Sequence, residues 1–554
     1  MLQLHHNSAH SMNRNRCPRR LQYASPLGMT TLGVSIIALL MLLSLLPAST
    51  LQAGSNDRPN IIVIMADDLG YGDVSCYGAK AITTPNIDRL ANEGIRFTSG
   101  YCSASTCTPT RYSLLTGTYA FRKQGTGIAP PNSPTLIPAG TVTLPSLLQS
   151  AGYNTAVIGK WHLGLGEGQP NWNGDLKPGP LEIGFDHCLL LPTTNDRVPQ
   201  VYVNDHRVEN LDSSDPLWVG NKKPTEDHPT GVSHRSTLRL DWSHGHNHSI
   251  HNGIGRIGYY TGGHAARFRD EELADRWVND SVKWIEQNRD EPFFLFFSSH
   301  DLHVPRMPHE RFQGTTSLGL RGDSIAQLDW CVGELTDALD RLQIADNTLI
   351  VFCSDNGPVL DDGYKDEAVE KLGDHKPAGP FRGGKYNVYE AGTRTPLIVR
   401  WPGKVQPAVS DQIVCTIDLA ASLSSLVGVP LPNDEACRDS FDVSDALLGK
   451  PGAVGRPHLI QQDNGVKGNF GFRVGNWKLH RYGAKNTYNV ELHMKNSAIE
   501  PFQLFDLQTD PMETKNVIDE HPEIARQMKE ELDTLIKQGH SRPISQTAPT
   551  KTPS

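Results

Sequence analysis

Four short runs, Ile61–Met65, Tyr153–Ile158, Phe293–Phe297 and Leu349–Cys353, limit the fold of this chain more than any other feature. Each is rich in β-branched or aromatic residues, the pattern of a buried strand. Helical patterns alternate with them. Ile325, Leu328, Val332, Leu335, Leu339 and Leu342 recur by threes and fours, which places them on one face of a helix leading into the fourth strand. Another helix is expected over about 270–287, ahead of the third strand. Strands alternating with helices predict an α/β fold.

In open α/β sheets, ligands bind beyond the carboxyl ends of the strands. Polar residues follow every one of these runs: Asp67-Asp68, Lys160-Trp161-His162, His300-Asp301-Leu302-His303 and Asp355-Asn356. Adjacent residues in a strand face opposite ways, so two neighbours can share one ligand only past its end, in a turn. Asp67-Asp68 and Asp355-Asn356 meet that condition. Together they offer hard oxygen donors with no soft ligand, which selects Ca²⁺ or Mg²⁺ over Zn²⁺. Strand-end Asp and Asn also serve widely as turn formers and caps. The coincidence of both pairs with the next motif is what points to a site.

That motif is Cys107-Thr108-Pro109-Thr110-Arg111, in a run that ends at Gly117. Proline favours the first turn of a helix and glycine closes one, so Pro109 and Gly117 bracket a short helix. Cys107 is then expected just ahead of a helix N-terminus, where free N–H groups favour an anion, with Arg111 one turn inside. On the residues alone this is a reactive thiol of lowered pKa.

Cys-x-Pro-x-Arg also resembles the signature of the type I sulfatases, of the alkaline-phosphatase-like superfamily, with Thr110 where serine is commoner. Asp67-Asp-Leu-Gly-Tyr-Gly-Asp73, Gly159-Lys-Trp-His-Leu-Gly164, Ser299-His-Asp-Leu-His-Val-Pro305, Ser354-Asp-Asn-Gly357 and Gly383-Gly-Lys385 stand in that family's order and spacing. The resemblance runs from about Asp57 to Pro402, and less sharply through Leu504–Pro511 and Asn516. It implies a large mixed central sheet flanked by helices, with a smaller C-terminal α+β domain. It further implies that a formylglycine-generating maturation enzyme converts Cys107 to 3-oxoalanine (formylglycine). The hydrate of that aldehyde would attack sulfur while Arg111 steadies it. Asp67, Asp68, Asp355 and Asn356 would hold the cation, with residue 107 also touching it. Lys160 and Lys385 would bind sulfate oxygens, and His303 would protonate the departing alcohol. His162 would take the proton of the second hydroxyl, so that the sulfate hemiacetal collapses to the aldehyde. A serine that touches sulfate in some relatives falls near Thr194. A phosphonate or phosphate ester hydrolase of the superfamily is the alternative chemistry. A silent sulfated-glycan-binding relative would have lost the motif or the aspartate set, and this chain has kept both.

The 554 residues leave room for a large domain and a smaller partner. The expected division is an N-terminal extension and secretory signal over 1–53, a catalytic domain over 56–404, a smaller domain over 405–540 and a flexible tail over 541–554. The turn cluster Trp401-Pro-Gly-Lys404 marks the inner boundary. Beyond it, short strands are expected at Phe472–Val474, Trp477–His480 and Phe502–Leu507, then a helix with Ile524, Met528, Leu532 and Leu535 on one face. Arg14, Arg16, Arg19 and Arg20 precede an apolar stretch and small residues, the order of an export signal. That stretch is shorter than the ~20 residues of a spanning helix, so export after signal cleavage without stable membrane insertion is expected, a membrane-tethered signal anchor being the alternative. A net charge of −9 offers nothing to nucleic acid, and an acidic substrate would need local positive charge. Nine irregularly spaced cysteines argue against a disulfide framework, and a Cys102–Cys107 pairing is rejected because the motif needs Cys107 free.

Ser243–His251 holds four histidines whose spacing matches no compact zinc motif. It reads as a solvated insertion or a substrate-facing lid, with His264 facing the pocket in the second case. Asn195, Asp196, Arg197, His264 and Arg306 are polar groups suited to sugar hydroxyls. The internal apolar hairpin that a steroid-type enzyme needs at a membrane is absent after Ser55. The substrate expected is therefore a sulfated saccharide, galactose or N-acetylgalactosamine types first, as in similar bacterial sulfatases.

Overall fold

The four apolar runs stand side by side in a principal sheet of ten strands. The computed structural model describes residues 58–463, 469–482, 488–489, 494–495 and 500–544. The expected signal over 1–53 and most of the tail lie outside these residues. The strands are β1 (Asn60–Ala66), β2 (Ile95–Phe97), β3 (Asn154–Lys160), β4 (His187–Leu191), β5 (Val203–Asn204), β6 (Arg207–Val208), β7 (Phe293–Ser298), β8 (Thr348–Ser354), β9 (Ile398–Arg400) and β10 (Ala408–Ser410). Their order is β10-β2-β9-β8-β1-β7-β3-β4-β5-β6. The central strands β8, β1, β7, β3 and β4 are parallel, while β9 and β2 on one flank and β5 and β6 on the other add antiparallel pairings. The sheet is thus mixed.

Both faces of the sheet are covered, which is why the middles of its central strands are apolar. Along β1, Ile61, Val63 and Met65 enter one apolar cluster and Ile62, Ile64 and Ala66 the other. The first cluster is closed by α1 (Cys107–Thr116) through Leu114 and Leu115 and by α4 (Leu419–Leu426) through Leu419 and Leu423. The second is closed by α2 (Leu273–Asn288) through Trp277 and by α3 (Gly319–Arg341) through Ile325, Leu328 and Val332. Each fully buried side chain of this kind contributes roughly 1.5–3 kcal/mol.

Three boundaries differ from the sequence reading. The strands run one or two residues further, because Lys160, Ser298 and Ser354 still pair in the ladder. Helix α1 begins at Cys107 itself, with Thr106 extended before it and Gly117 left-handed (φ 59) after it. Pro109 sits third in the helix, where its missing N–H is one of the unbonded donors in any case. Helix α3 starts at Gly319, ahead of the apolar spacing, because Arg321 is buried against Asp73.

A second, antiparallel sheet has the order β11 (His458–Gln462), β12 (Phe470–Val474), β13 (Trp477–Arg481), β14 (Phe502–Asp506). Helix α5 (Pro522–Gln538) packs Met528, Leu532 and Leu535 into a cluster with Leu459, Phe472, Leu479 and Leu504. The sequence reading lacked β11, whose buried Gln461 and Gln462 hide it. Strand β10 and helix α4 still belong to the large sheet and its core, and the chain changes sheets between Ala453 and His458. All eight cysteines among the described residues are free thiols. No helix among them is long and apolar enough to cross a membrane.

Phe296 is 1% exposed between flanking strands, so Phe296→Ala is expected to cost about 3–5 kcal/mol in urea unfolding. Val454→Ala, at a residue 76% exposed, should stay within about 0.5 kcal/mol of the parent.

Candidate active site

The central strands end level with one another. Met65 pairs with both Ser298 and Cys353, Ser298 pairs with Gly159, and Lys160 pairs with Leu191. Level ends deliver Asp67-Asp68, Lys160-Trp161-His162, Ser299–His303, Asp355-Asn356 and Thr194–Arg197 to one edge of the sheet. Gly159 permits this on β3. It has φ 115, and a Cβ there would lie 1.9 Å from the Ser298 carbonyl oxygen. Asp68 (φ 59) and His162 (φ 55) are left-handed non-glycine residues, each holding about 1–3 kcal/mol of backbone strain that the surrounding contacts must outweigh.

Arg111 ties the pieces together. Its Nε and Nη2 donate to Asp355 Oδ2 at 2.9 and 2.8 Å, and its Nη1 donates to the Lys160 carbonyl at 3.0 Å and to Ser298 Oγ. Lys160 Nζ donates to Asp67 Oδ2. Lys385 Nζ donates to Asp68 Oδ2 at 2.9 Å and to Asp362 Oδ2 at 2.7 Å, and Tyr386 also donates to Asp362. All of these charged side chains are buried, and Tyr386 is half-buried. Asp362 and Ser298 were not singled out from sequence, since no spacing distinguishes them from ordinary polar residues.

The carboxylates outrun the cations. Burial, then Asp355, pushes the Asp67 carboxyl well above its usual range, and burial raises Asp68 as well. Asp67 Oδ1 and Asn356 Oδ1 are buried without a hydrogen-bond donor, although Asn356 Nδ2 donates to Asp68 Oδ1 at 2.7 Å. Unpartnered buried oxygens beside crowded carboxylates suit a hard cation, which would keep the carboxylates ionised. A ring nitrogen of His303 and carboxylate oxygens of Asp67 and Asp68 lie within 4.8 Å of one another, a group able to hold a metal ion. Asp355, expected in that set, spends Oδ2 on Arg111 and takes the Asp68 amide on Oδ1 at 3.3 Å.

Cys107 Sγ lies 3.2 Å from His162 Nδ1, and His162 Nε2 donates to the Ala129 carbonyl at 3.0 Å. Burial raises the Cys107 thiol above its usual range despite Lys160 nearby. This corrects the expectation of a lowered thiol pKa: the helix end and the cations do not outweigh desolvation. Burial, then Lys160 and Arg197, holds the His162 imidazole neutral.

His303 Nδ1 donates to the Val304 carbonyl at 2.7 Å, and burial, then Lys385 and Lys160, depress its pKa well below the usual value. His300 is anchored from α2 by Trp277 Nε1 at 3.3 Å. Asp196 is buried, and burial alone would raise it, yet Arg197, then His303 and His246, hold it well below the ordinary carboxylate range. Thr194 and Arg197 both donate to it. Asn195 Nδ2 bonds the His303 and Pro305 carbonyls.

Two of the proposed sugar readers are placed otherwise. Arg306 is buried and spends its donors on Asp366 and the carbonyls of Leu302, Val359 and Leu360. His264 is 71% exposed and bonded to Asp215, with no hydrogen bond to the cluster around Cys107. The histidine-rich segment is likewise not a solvated insertion. His251 is buried between Tyr260 and the Phe268 carbonyl, and His246 Nε2 meets Asp196 Oδ2 at 3.0 Å. His246 lies so close to Gly363 (φ 106) that a Cβ there would stand 1.7 Å from its Nδ1. Histidine count alone gave no sign of which ring would turn inward.

The sulfatase family model matches residues 59–429, and that of the C-terminal part of N-sulphoglucosamine sulphohydrolase matches residues 383–538. The chain is 45% identical over 506 residues to an N-acetylgalactosamine-6-O-sulfatase of Bacteroides thetaiotaomicron, covering 89% of this chain and 98% of that protein. It is 32% identical over 508 residues to human arylsulfatase A, covering 87% and 90%. A solved structure reported with the metabolism of multiple glycosaminoglycans by Bacteroides thetaiotaomicron aligns with a TM-score of 0.84 at 46% identity, covering 87% of this chain and 99% of that one.

A divalent cation at a hundred times its Kd is expected to stabilise the protein by about 3 kcal/mol, read as a rise in Tm after chelation and readdition. Asn356→Ala, which deletes an unpartnered oxygen, should shrink that rise, and an unchanged rise would refute the placement.

Proposed function

Because this chain belongs to the sulfatase family, we propose that it hydrolyses the sulfate ester of a sulfated carbohydrate, of the N-acetylgalactosamine 6-sulfate or related glycosaminoglycan type, through a formylglycine at residue 107 beside one Ca²⁺ or Mg²⁺. The observation that carries the reading is the setting of Cys107: at a helix N-terminus, against His162 Nδ1, and ringed by the buried cations Arg111, Lys160 and Lys385. The 45% identity to an N-acetylgalactosamine-6-O-sulfatase supports the sugar class. Maturation by a formylglycine-generating enzyme and export directed by residues 1–53 complete the proposal.

The hydrated aldehyde supplies an oxygen nucleophile with a second hydroxyl for release, and the cation supplies positive charge for the sulfate oxygens. The remaining work falls to side chains of this chain. Cys107 Sγ stands in for a hydroxyl oxygen of the matured residue. His162 donates its Nε2–H in a hydrogen bond to the Ala129 carbonyl, so its Nδ1 lone pair faces residue 107 and can accept the second hydroxyl's proton. Lys160 and Lys385 bring fixed positive charge against the sulfate, in a site dry enough to make it count. Arg111, held by Asp355, Ser298 and the Lys160 carbonyl, orients rather than moves. His303 is fixed through Nδ1, and in this reading its Nε2 serves the leaving oxygen as acid, the cation being left to Asp67, Asp68, Asp355 and Asn356. A sulfate anion between Lys385 and Lys160 would offset the charges that disfavour its imidazolium. Arg197 keeps 15% of its side chain accessible beside Asp196 and is the sugar contact this reading favours.

Matured protein, shown by peptide mass to carry the aldehyde at 107, is expected to release sulfate from 6-sulfated N-acetylgalactosamine in a panel that includes aryl, steroid and choline sulfates. Turnover confined to the non-sugar esters would overturn the carbohydrate assignment. His303→Ala should cost on the order of 10²–10⁴-fold with poor alcohol leaving groups and far less with activated aryl sulfates. Equal losses on both would make His303 structural.

A further inference from the structure

Lys385 sits on a loop whose ends meet, Ala391 N donating to the Arg382 carbonyl at 3.0 Å. Within it, the Lys385 amide donates to the Pro358 carbonyl at 3.0 Å and the Tyr386 amide to the Ser105 carbonyl at 2.9 Å. The loop therefore rests on the segments that carry Asn356 and Cys107. Both of its ends are also held by one residue of the C-terminal region. Arg382 Nη1 donates to the Glu513 backbone carbonyl at 3.1 Å, and the Glu390 amide donates to Glu513 Oε2 at 2.6 Å.

Glu513 is itself fixed from several directions. Its Oε1 accepts from His480 Nε2 at 2.8 Å and lies 3.1 Å from Lys478 Nζ. Lys478 Nζ in turn donates to Glu390 Oε1 at 2.9 Å. Glu390, Lys478, His480 and Glu513 are all fully buried. Glu513 adopts φ 53, a conformation a glutamate holds only when its surroundings impose it. It lies two residues past Leu504–Pro511, a stretch to which the chemistry of the site gives no part.

From this clamp we infer that Glu513 is a positioning residue for Lys385: the small sheet sets the loop that presents the sulfate-binding ammonium. The inference rests on the sulfate-binding role proposed for Lys385. Lys385 Nζ is shared between Asp68 and Asp362 at 2.9 and 2.7 Å, so loosening either end of its loop moves the charge relative to the sulfate. Misplacement by about 1 Å can cost on the order of 10²-fold in rate.

The test uses the full matured protein, with inorganic sulfate as inhibitor and a substrate of known turnover. Glu513→Gln is expected to weaken sulfate inhibition about tenfold or more, toward the value for Lys385→Ala, and to raise KM more than it lowers kcat. Glu513→Gln combined with Lys385→Ala should be no worse than Lys385→Ala alone, since both act on one group. Folded Glu513→Gln with parental sulfate inhibition would overturn the inference. If that variant fails to fold, Arg382→Ala, at a half-buried side chain, decides by the same measurement. If Lys385→Ala leaves sulfate inhibition unchanged, the role given to Lys385 is wrong. The clamp is then judged by amide exchange over residues 382–391, where no acceleration in Glu513→Gln or Arg382→Ala would refute it.

Discussion

The buried contact between Arg111 and Asp355 is the interaction on which the rest of the site depends. Arg111 rises from α1 and Asp355 follows β8, while the same guanidinium also holds the end of β3 and the last residue of β7. One planar group thus references a helix to three strands. Removing either partner leaves an uncompensated charge in a dry site, typically costing on the order of 3–5 kcal/mol. It would also release Cys107 from its position relative to Lys160 and His162. Stability and chemistry are coupled here through a single side chain.

The electrostatics of the edge follow from that arrangement. Asp67, Asp68, Asp355 and Asp362 face Arg111, Lys160 and Lys385 at near-zero solvent exposure. Oxygens of Asp67 and Asn356 remain without donors. The cluster is short of positive charge, which is the chemistry that suits a hard cation. Lys160 and Lys385 are the direct partners of Asp67 and Asp68.

Much of this was legible in the residues. The central strands were visible because burial on both faces leaves long apolar runs, and the polar residues after them were visible because strands must end. The ordered motifs from Asp67 to Lys385 named most of the residues that the structure gathers around Cys107. The parts that escaped share one cause. Gln461 and Gln462 in β11, Arg321 at the start of α3, Asp362 beside Lys385 and His246 beside Asp196 are polar groups buried against partners distant in sequence. Local pattern reads such residues as exposed, because the partner that makes burial tolerable appears only in three dimensions. Arg306 shows the converse: a polar side chain in a loop reveals nothing about whether its donors are already spent, and here they go to Asp366 and three backbone carbonyls.

The contact between His246 and Gly363 carries a consequence for how this wall of the site can change. The imidazole occupies the space any side chain at 363 would need, and its far nitrogen reaches Asp196. The histidine-bearing segment and the loop after β8 are therefore complementary halves of one surface, and neither can be exchanged independently. A chimera that imports the 243–251 segment without a glycine at the facing position would exclude the ring. A chimera that keeps the glycine but loses the ring would open a gap beside Asp196. Altering this part of the pocket is a two-segment problem, and single-loop grafts should fail in a way that no inspection of either loop alone would foresee.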